Sequence, residues 1–242
     1  MKKALKELIS EGVIWNGRKA RTRVPVSKSD ELFAELSLGA VHELCLKNGF
    51  EVKAKGAWYA PLFLVSALLE KRCEGSYIAW VGRRCWPTPQ MLQETLGIEA
   101  QNRSLFIDPP DKQKRLWAAL QLLKSPQVGC VVCDGSRFSL IATRRLQLAA
   151  HVNVLGILLR PPWEIEGSSC AVTKWRVQPV AADGFSWSIE LLRARGLTAP
   201  KQWLIEWQEG HGDEKGALHC SANAASGAAE SAALEELHRL AR

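Results

Sequence analysis

The stretch that decides the fold is Val41-His-Glu-Leu-Cys-Leu46, followed by Lys47-Asn-Gly-Phe-Glu-Val-Lys-Ala-Lys-Gly56 and then by residues 61–72. The first part has the character of a buried strand, and residues 61–72 predict a helix. A glycine-containing loop between a strand and a helix is where α/β proteins place a phosphate-binding loop. The sequence therefore predicts an α/β domain, and the chemistry of this loop decides what the domain can do.

The loop lacks the residues that bind and activate a nucleotide. A working loop ends in Gly-Lys-Ser/Thr, whose lysine contacts the terminal phosphates and whose hydroxyl binds Mg²⁺. Here Ala57-Trp58 follows Gly56, so Lys55 and Gly56 are at most remnants of such a site. Asp134 ends an apolar strand, as a magnesium-binding aspartate would, but without the loop it is better explained as the cap of a turn before Ser136. The sequence predicts no catalytic residue, no metal, no cofactor and no enzymatic activity.

Downstream, apolar strands alternate with amphipathic helices. Strands that are apolar on both faces and separated by helices predict a mostly parallel sheet covered by helices on both sides. We predict strands at 77–81, 104–107, 128–133 and 154–159, and helices at 89–96, 139–151 and, capped by Asp111, through Leu123.

The pattern changes after Ser168. Residues 171–178, 186–191 and 203–207 alternate between apolar and polar side chains, which predicts three antiparallel strands that extend the sheet. We predict three regions: a basic N-terminal arm (1–26), an α/β core (27–208) and a flexible C-terminal tail (209–242) with a marginal helix at 228–240.

The net charge of +7 is concentrated in the arm, which could contact DNA or an acidic protein. A solvated, solubilising terminus explains the arm equally well. No apolar run approaches the ~20 residues of a membrane span, and no apolar stretch follows Lys2 and Lys3. The sequence predicts a cytoplasmic protein that does not enter the membrane.

Two residue types invite a chemical explanation. Cys130 and Cys133 form a C-x-x-C motif, but residues three apart on a strand point to opposite faces, so a shared metal is not expected. Ten tryptophans are present. Those with core-like phase are expected to pack. Packing is also favoured for those in loops, with anchoring of a partner or stacking on bases as the alternative. The first group comprises Trp80, Trp117, Trp175, Trp187, Trp203 and Trp207, and the second Trp15, Trp58, Trp86 and Trp163.

Several basic residues are candidates for binding a partner or DNA. Arg144 and Arg145 lie on the predicted helix 139–151, where Arg144, Gln147 and His151 are expected to face solvent. The later strands and their connections supply Lys174, Arg176, Arg193, Arg195 and Lys201. We expect reversal of Arg193 and Arg195 to glutamate to abolish partner binding and to leave the fold intact. His42 and Glu43 are expected to be a satisfied polar pair at the sheet end.

Particular segments resemble a known family. Gly39-Ala-Val-His-Glu-Leu44, Tyr77-Ile-Ala-Trp-Val81 and, most specifically, Arg144-Arg-Leu-Gln-Leu-Ala-Ala150 followed by Leu155-Gly-Ile-Leu-Leu-Arg-Pro161 resemble segments of ImuA-like proteins. These are RecA-related accessory factors of bacterial mutagenesis cassettes. A parallel core followed by antiparallel strands is also the layout of the RecA-type core. The similarity covers about residues 27–207 and leaves out the arm and the tail.

The resemblance implies a RecA-like core and a non-enzymatic role in SOS-induced, error-prone translesion DNA synthesis. The implied partners are RecA, an ImuB-like Y-family polymerase homologue and an error-prone polymerase subunit. The family commonly lacks an intact phosphate loop, in agreement with this chain. Two alternatives remain open: a divergent DNA-dependent ATPase of the RecA superfamily, and a SulA-like inhibitor of cell division.

Overall fold

In a computed structural model, the described residues are 32, 34–46, 61–70, 75–180, 185–194, 201–208 and 216–223. Their strands form a single sheet with the order β3-β2-β4-β5-β1-β6-β7-β8-β9. The strands are β1 (Ala40–Leu46), β2 (Tyr77–Val81), β3 (Ser104–Ile107), β4 (Val128–Asp134), β5 (Leu155–Arg160), β6 (Thr173–Pro179), β7 (Ser186–Arg193), β8 (Lys201–Gln208) and β9 (Ala217–Asn223). The helices are α1 (Leu62–Leu69), α2 (Pro89–Leu96), α3 (Ile98–Asn102), α4 (Lys112–Lys124) and α5 (Leu140–Ala149).

The sheet is parallel from β3 through β6 and antiparallel from β6 through β9. The predicted α/β class, with a mostly parallel sheet and an antiparallel extension, is confirmed. One detail was wrong: residues 171–178 were predicted to begin the antiparallel part, yet β6 runs parallel to β1. Strand β6 lies on the side of β1 opposite to β5 and runs in the same direction as both, so β7 is the first strand that runs the other way.

Two hydrophobic clusters cover the two faces of the sheet. One contains Leu64 of α1 and Leu92 of α2, together with the buried tryptophans of β6 to β8. The other contains Leu120 of α4 and Leu146 of α5. Strand alternation places Glu43 on the α4 and α5 face of β1, because Val41, two residues earlier, belongs to that cluster.

The helices start where short polar side chains accept backbone hydrogen bonds. Asp111 Oδ1 accepts from Lys114 N at 2.8 Å, as predicted, and Ser139 Oγ accepts from Ala142 N at 3.3 Å. Residues 61–72 were predicted to be helical, and α1 ends at Leu69. None of the helices in the described ranges is long and apolar enough to span a membrane.

Strand β9 lies inside the predicted flexible tail. It pairs antiparallel with β8 along its whole length, so the sheet extends beyond residue 208. The prediction of a tail beginning at 209 was therefore wrong for residues 217–223. The segment Ala-Leu-His-Cys-Ser-Ala-Asn has few large apolar residues, and its strand forms by adding backbone hydrogen bonds to an open edge. The predicted N-terminal arm and the helix at 228–240 lie outside the described residues.

The tryptophan predictions are mostly confirmed. Trp80, Trp175, Trp187, Trp203 and Trp207 are buried. Trp117 was predicted to pack and is 61% exposed, because α4 turns the neighbouring Ala118, Ala119 and Leu120 toward the protein interior instead. Trp163 is 56% exposed, whereas Trp86 is half-buried and its indole N–H donates to Trp80 O at 3.2 Å. Trp15 and Trp58 lie outside the described residues.

The prediction that Cys130 and Cys133 point to opposite faces of their strand is also confirmed. Cys130 belongs to the cluster under α1 and α2, and Cys133 to the cluster under α4 and α5, so the two thiols lie on opposite faces of β4. Within the described ranges, no three His, Cys, Asp or Glu side chains are grouped so that they could hold a metal ion.

Candidate functional site

A group of charged side chains, which includes the buried Glu43, Asp134 and Arg160, lies on β1 and at the carboxyl ends of β4 and β5. This edge of a parallel sheet is where α/β proteins bind their ligands, because the strand order changes direction there. We call this group the carboxyl-edge cluster, and it consists of Glu43, Arg84, Arg115, Asp134, Arg160 and Glu164. It has two halves, one around Asp134 and one around Arg160.

Asp134 is fully engaged by its neighbours. Its Oδ1 accepts from Ser136 N at 2.9 Å, which is the turn cap predicted from the sequence. Its Oδ2 lies 3.5 Å from a guanidinium nitrogen of Arg84 and 3.5 Å from one of Arg115. The Asp134 side chain is only 4% exposed. A carboxylate that is buried between two arginines has its charge already compensated and is poorly placed to bind a magnesium ion.

Arg115 connects α4 to the loop between β4 and α5. Its Nη2 donates to Ser136 O at 3.0 Å, and its guanidinium lies 5.5 Å from the centre of the Phe138 ring. The close approach on the other side depends on Gly82, whose φ is +92°. A Cβ there would lie 3.1 Å from Asp134 Cβ and 3.3 Å from Arg115 Cδ.

Arg160 forms the second half of the cluster. It is the last residue of β5 and is 3% exposed. Its Nη1 donates to the carbonyl oxygens of Gly135, at 2.8 Å, and Phe138, at 3.0 Å. Its Nε lies 3.2 Å from Glu164 Oε2 and 3.7 Å from Glu43 Oε1. The guanidinium of Arg160 thus connects the end of β5 with β1, with the loop after β4 and with Glu164.

Glu43 is completely buried, and neither of its carboxylate oxygens has a hydrogen-bond partner among the described residues. The 3.7 Å to Arg160 Nε is an electrostatic contact rather than a hydrogen bond. Lys174 is the register partner of Glu43 on β6 and is also buried, but its ammonium donates to Gly167 O at 2.6 Å. Glu43 is therefore compensated by nearby positive charge while both of its oxygens can still accept a hydrogen bond.

His42 and Glu43 were predicted to be a satisfied polar pair, but only His42 has hydrogen-bond partners among the described residues. The ring of His42 lies on the opposite face of β1, where Nδ1 is 2.6 Å from Thr173 Oγ1 and Nε2 is 2.9 Å from Ser37 O. Glu43 lacks such partners, so the prediction was wrong for the carboxylate. Periodicity identified the face of each side chain but could not identify its partners.

The cysteines near the carboxyl-edge cluster are expected to have low nucleophilic reactivity. Burial, and secondarily the charge of Glu43, raises the pKa of the Cys45 thiol to about 12. Burial likewise raises the pKa of Cys85 and Cys133 well above the ordinary value. Since the thiolate is the nucleophile, these three thiols are not suited to nucleophilic catalysis.

The loop after β4 and the loop after β5 are joined by a hydrogen bond between the backbone of one and a side chain of the other. Arg137 N donates to Glu164 Oε1 at 2.9 Å, and Arg137 adopts a φ of +62°, which is uncommon for a residue other than glycine. The side chain of Arg137 is exposed, as is Trp163 beside Glu164, and Arg84 is half exposed. We call Arg84, Arg137 and Trp163 the carboxyl-edge surface.

Most basic residues predicted to bind a partner are used within the fold. Lys174 is buried, Arg176 is paired with Glu190, and Arg193 donates to Ser169 O at 2.8 Å and Ala171 O at 3.0 Å. These three residues do not form an exposed basic surface, because Lys174 and Arg193 donate to the connection after β5 and Arg176 pairs with a residue of β7. Lys201 is 46% exposed and pairs with Glu35 at 3.0 Å. Arg195, Lys55 and Gly56 lie outside the described residues.

Arg144 and Arg145 are exposed on α5, as predicted, and neither forms an ion pair with a described residue. Gln147 was predicted to face solvent with them. Instead its Oε1 accepts a hydrogen bond from Val41 N at 2.8 Å. Gln147 lies at the boundary between the two faces of α5, and its length lets the amide reach the start of β1.

Sequence reasoning missed Arg160 and Glu164, which organise the site. The available signal was an arginine at the end of an otherwise apolar strand, with an acidic residue four positions later. A charged residue at such a position requires a buried partner, but the partner on β1 is 117 positions earlier and becomes visible only when β1 and β5 pair.

The arrangement as a whole is suited to fixing charged side chains rather than to moving protons or activating a nucleophile.

No protein-family model matches this chain, and no curated protein matches it significantly in sequence.

Proposed function

We propose that the chain is a RecA-like domain that has lost nucleotide hydrolysis and acts as a non-enzymatic accessory protein in SOS-induced, error-prone translesion DNA synthesis. The observation that carries the loss of hydrolysis is the state of Asp134. The carboxylate in the position expected for a magnesium ligand is held by Arg84, Arg115 and the Ser136 amide. The altered loop sequence before residue 57 supports the same conclusion.

The RecA-like part of the proposal is supported by the strand arrangement. A parallel series that continues into antiparallel strands on one side is the layout expected for a RecA-type core. The segment of closest resemblance to ImuA-like proteins, residues 144–150 and 155–161, supplies α5 and β5, including Arg160. The resemblance thus includes the residue that organises the carboxyl edge.

The proposed mechanism is docking. The internal ion pair and hydrogen bond of Glu164 at the carboxyl edge fix the two loops, and the exposed residues of these loops belong to the carboxyl-edge surface. Arginine and tryptophan are the residue types that most often dominate protein interfaces. We propose that this surface contacts RecA, an ImuB-like polymerase homologue or an error-prone polymerase subunit, and that the basic arm adds contacts with DNA.

Nucleotide turnover tests the non-enzymatic part. We expect no steady-state ATP or GTP hydrolysis in the presence of single-stranded DNA, since Asp134 is engaged and the loop lacks its Gly-Lys-Ser/Thr end. Turnover that is lost in Lys55→Ala would instead identify a divergent ATPase.

Partner binding tests the accessory role. We expect purified RecA, and not FtsZ, to bind the chain. We expect Trp163→Ala to weaken this binding by about 2 kcal/mol or more, because a tryptophan buried at an interface commonly contributes that much. Trp117→Ala is the matched control, because it removes a similarly exposed tryptophan (61% against 56%) from α4. Equal effects of the two substitutions would contradict docking through the carboxyl-edge surface, and binding to FtsZ alone would favour a SulA-like inhibitor.

A further inference from the structure

The outward face of α5 is the most exposed apolar surface in the described ranges. Leu148, Ile141 and Val152 are exposed by 77%, 73% and 71%, the three highest values among the large hydrophobic side chains described. Leu140 adds a further 47% at the start of the helix. We call these four residues, with Arg144 and Arg145, the α5 outward face.

Helical periodicity makes this face continuous. Ile141, Arg144 and Leu148 are spaced i, i+3 and i+7 on α5, and Val152 lies in the turn that follows the end of the helix. The opposite side of the helix contributes Ala142, Thr143 and Leu146 to the interior. The outward face is therefore an apolar stripe with two arginines, and neither arginine forms an ion pair with a described residue. A stripe of this kind fits an apolar helix face bordered by carboxylates.

The chain itself contains a sequence of that description beyond the described residues. In the segment 224–242, Glu230, Leu234 and Leu237 are spaced i, i+4 and i+7, and Leu240 continues the stripe. On a helix, Glu236 borders this stripe, whereas Glu235 lies on the opposite side. We propose that the C-terminal segment 224–242 binds as a helix to the α5 outward face of the same chain, with Glu230 and Glu236 toward Arg144 and Arg145.

The topology places the segment within reach. Strand β9 ends at Asn223, and β1, which α5 contacts, is four strand positions away across β8, β7 and β6. Four interstrand spacings are about 19 Å. The seven residue steps from Asn223 to Glu230 can extend over up to about 23 Å. They therefore suffice to bring Glu230 to α5, and residues 230–242 suffice for about three helical turns.

Docking in this way would cover Arg144 and Arg145 and leave the carboxyl-edge surface exposed. The inference does not depend on the proposed function, since it concerns only two parts of this chain. It predicts that the α5 outward face is accessible only when the C-terminal segment dissociates.

Thiol labelling tests the contact directly. In Leu148→Cys, labelling by a maleimide, quantified at that site by mass spectrometry, should be about tenfold slower in the full chain than in a chain ending at Asn223, as for a site covered ~90% of the time. Trp117→Cys is the control, because that side chain is exposed elsewhere on α4 and should label equally in both chains. Equal rates for Leu148→Cys in the two chains would overturn the proposal.

Charge reversal identifies the contacting residues. Glu230→Lys with Glu236→Lys should raise the Leu148→Cys rate to that of the shortened chain, whereas Glu235→Lys, which makes the same charge change on the opposite side, should not. Adding Arg144→Glu and Arg145→Glu to the first pair should restore protection. Each labelling rate is compared with that of a chain that carries the same substitutions in α5 and ends at Asn223. Identical effects of the Glu235 and Glu230/Glu236 reversals would contradict the assigned register. Protection that disappears on dilution, together with elution as a dimer, would show that the occupant is a second copy and would overturn binding within one chain.

Discussion

At the residue scale, the protein depends on a small number of buried charges. Arg160 contacts two carboxylates and two carbonyl oxygens, and Asp134 contacts two arginines and a backbone amide. Removing one member of such a group leaves the others desolvated without compensation, which costs more than the pair itself contributes to stability. The carboxyl edge should therefore tolerate substitution poorly even though no chemistry is assigned to it.

Arg160→Ala is expected to lower the free energy of unfolding by about 3–5 kcal/mol, because Glu43 then remains buried without a nearby guanidinium. Urea denaturation measures the change. Arg145→Ala, an exposed arginine on α5, should change stability by less than about 0.5 kcal/mol. In the double variant Glu43→Leu/Arg160→Met the loss should be smaller than the sum of the losses in Glu43→Leu and Arg160→Met, since neither of these two residues then leaves the other's charge buried without its partner. Strict additivity would show that Glu43 and Arg160 do not interact.

A second prediction concerns the buried thiols. Because the pKa of Cys45 is raised to about 12 from the ordinary value of 9.0, the folded protein retains this proton where the unfolded chain loses it. The corresponding stability is present below pH 9 and is lost as the pH rises toward about 12. At pH 8 we expect iodoacetamide to leave Cys45, Cys85 and Cys133 unlabelled until the chain unfolds. Fast native labelling of Cys45, at a rate like that of the half-buried Cys220, would contradict the assigned burial.

At the element scale, the connection between β5 and β6, residues 161–172, is fixed by side chains from other elements. Lys174 donates to Gly167 O, Arg193 donates to Ser169 O and Ala171 O, and Thr143 accepts from Cys170 N. The connection contains little regular structure, so these hydrogen bonds satisfy much of its buried backbone. Arg193 is consequently a structural residue, contrary to the expectation that its reversal would leave the fold intact.

Arg193→Glu is expected to lower the free energy of unfolding by about 1–3 kcal/mol, because two carbonyl oxygens lose their donor and face a carboxylate. Limited proteolysis should show faster cleavage within residues 161–172. Lys201→Glu is the matched control, since it reverses an exposed charge whose pair with Glu35 contributes at most about 1 kcal/mol. Resistance of Arg193→Glu to protease at the wild-type level would show that the connection does not need this residue.

At the scale of the whole molecule, the sheet has nine strands among the described residues, and the last of them completes the hydrophobic face under α1. Phe63 of α1 contacts Trp187 and Trp207, and Leu218 and Cys220 of β9 pack against the same cluster. The antiparallel strands are therefore part of the core and not an appendage to it. The fold should require the chain at least as far as β9.

A chain ending at Gln208 should be less stable than one ending at Asn223 by about 2 kcal/mol or more, because the edge of β8 and part of Trp207 become exposed. Thermal unfolding and light scattering should show a lower Tm and more aggregation for the shorter chain. The chain ending at Asn223 should unfold close to the full chain, apart from any contribution of the C-terminal segment. Identical melting of all three chains would exclude β9 from the cooperative core.

Periodicity in the sequence determined the class of the fold and the order of its elements. Asp111 as a helix cap, the opposite faces of Cys130 and Cys133 and the turn at Asp134 follow from local rules that act over a few residues, so they could be predicted. The expectation that the chain does not hydrolyse nucleotides likewise rests on residue types alone, because the loop before Ala57 lacks the Gly-Lys-Ser/Thr end of a working phosphate loop.

Only the tertiary structure decided which charges meet. Glu43 and Arg160 are brought together by the pairing of β1 with β5, and Lys174 and Arg193 are withdrawn from solvent by the connection that folds over them. Strand β9 forms because β8 offers an open edge, and not because its own sequence favours a strand. These outcomes depend on contacts between segments that are distant in the sequence, and local sequence patterns do not predict such contacts.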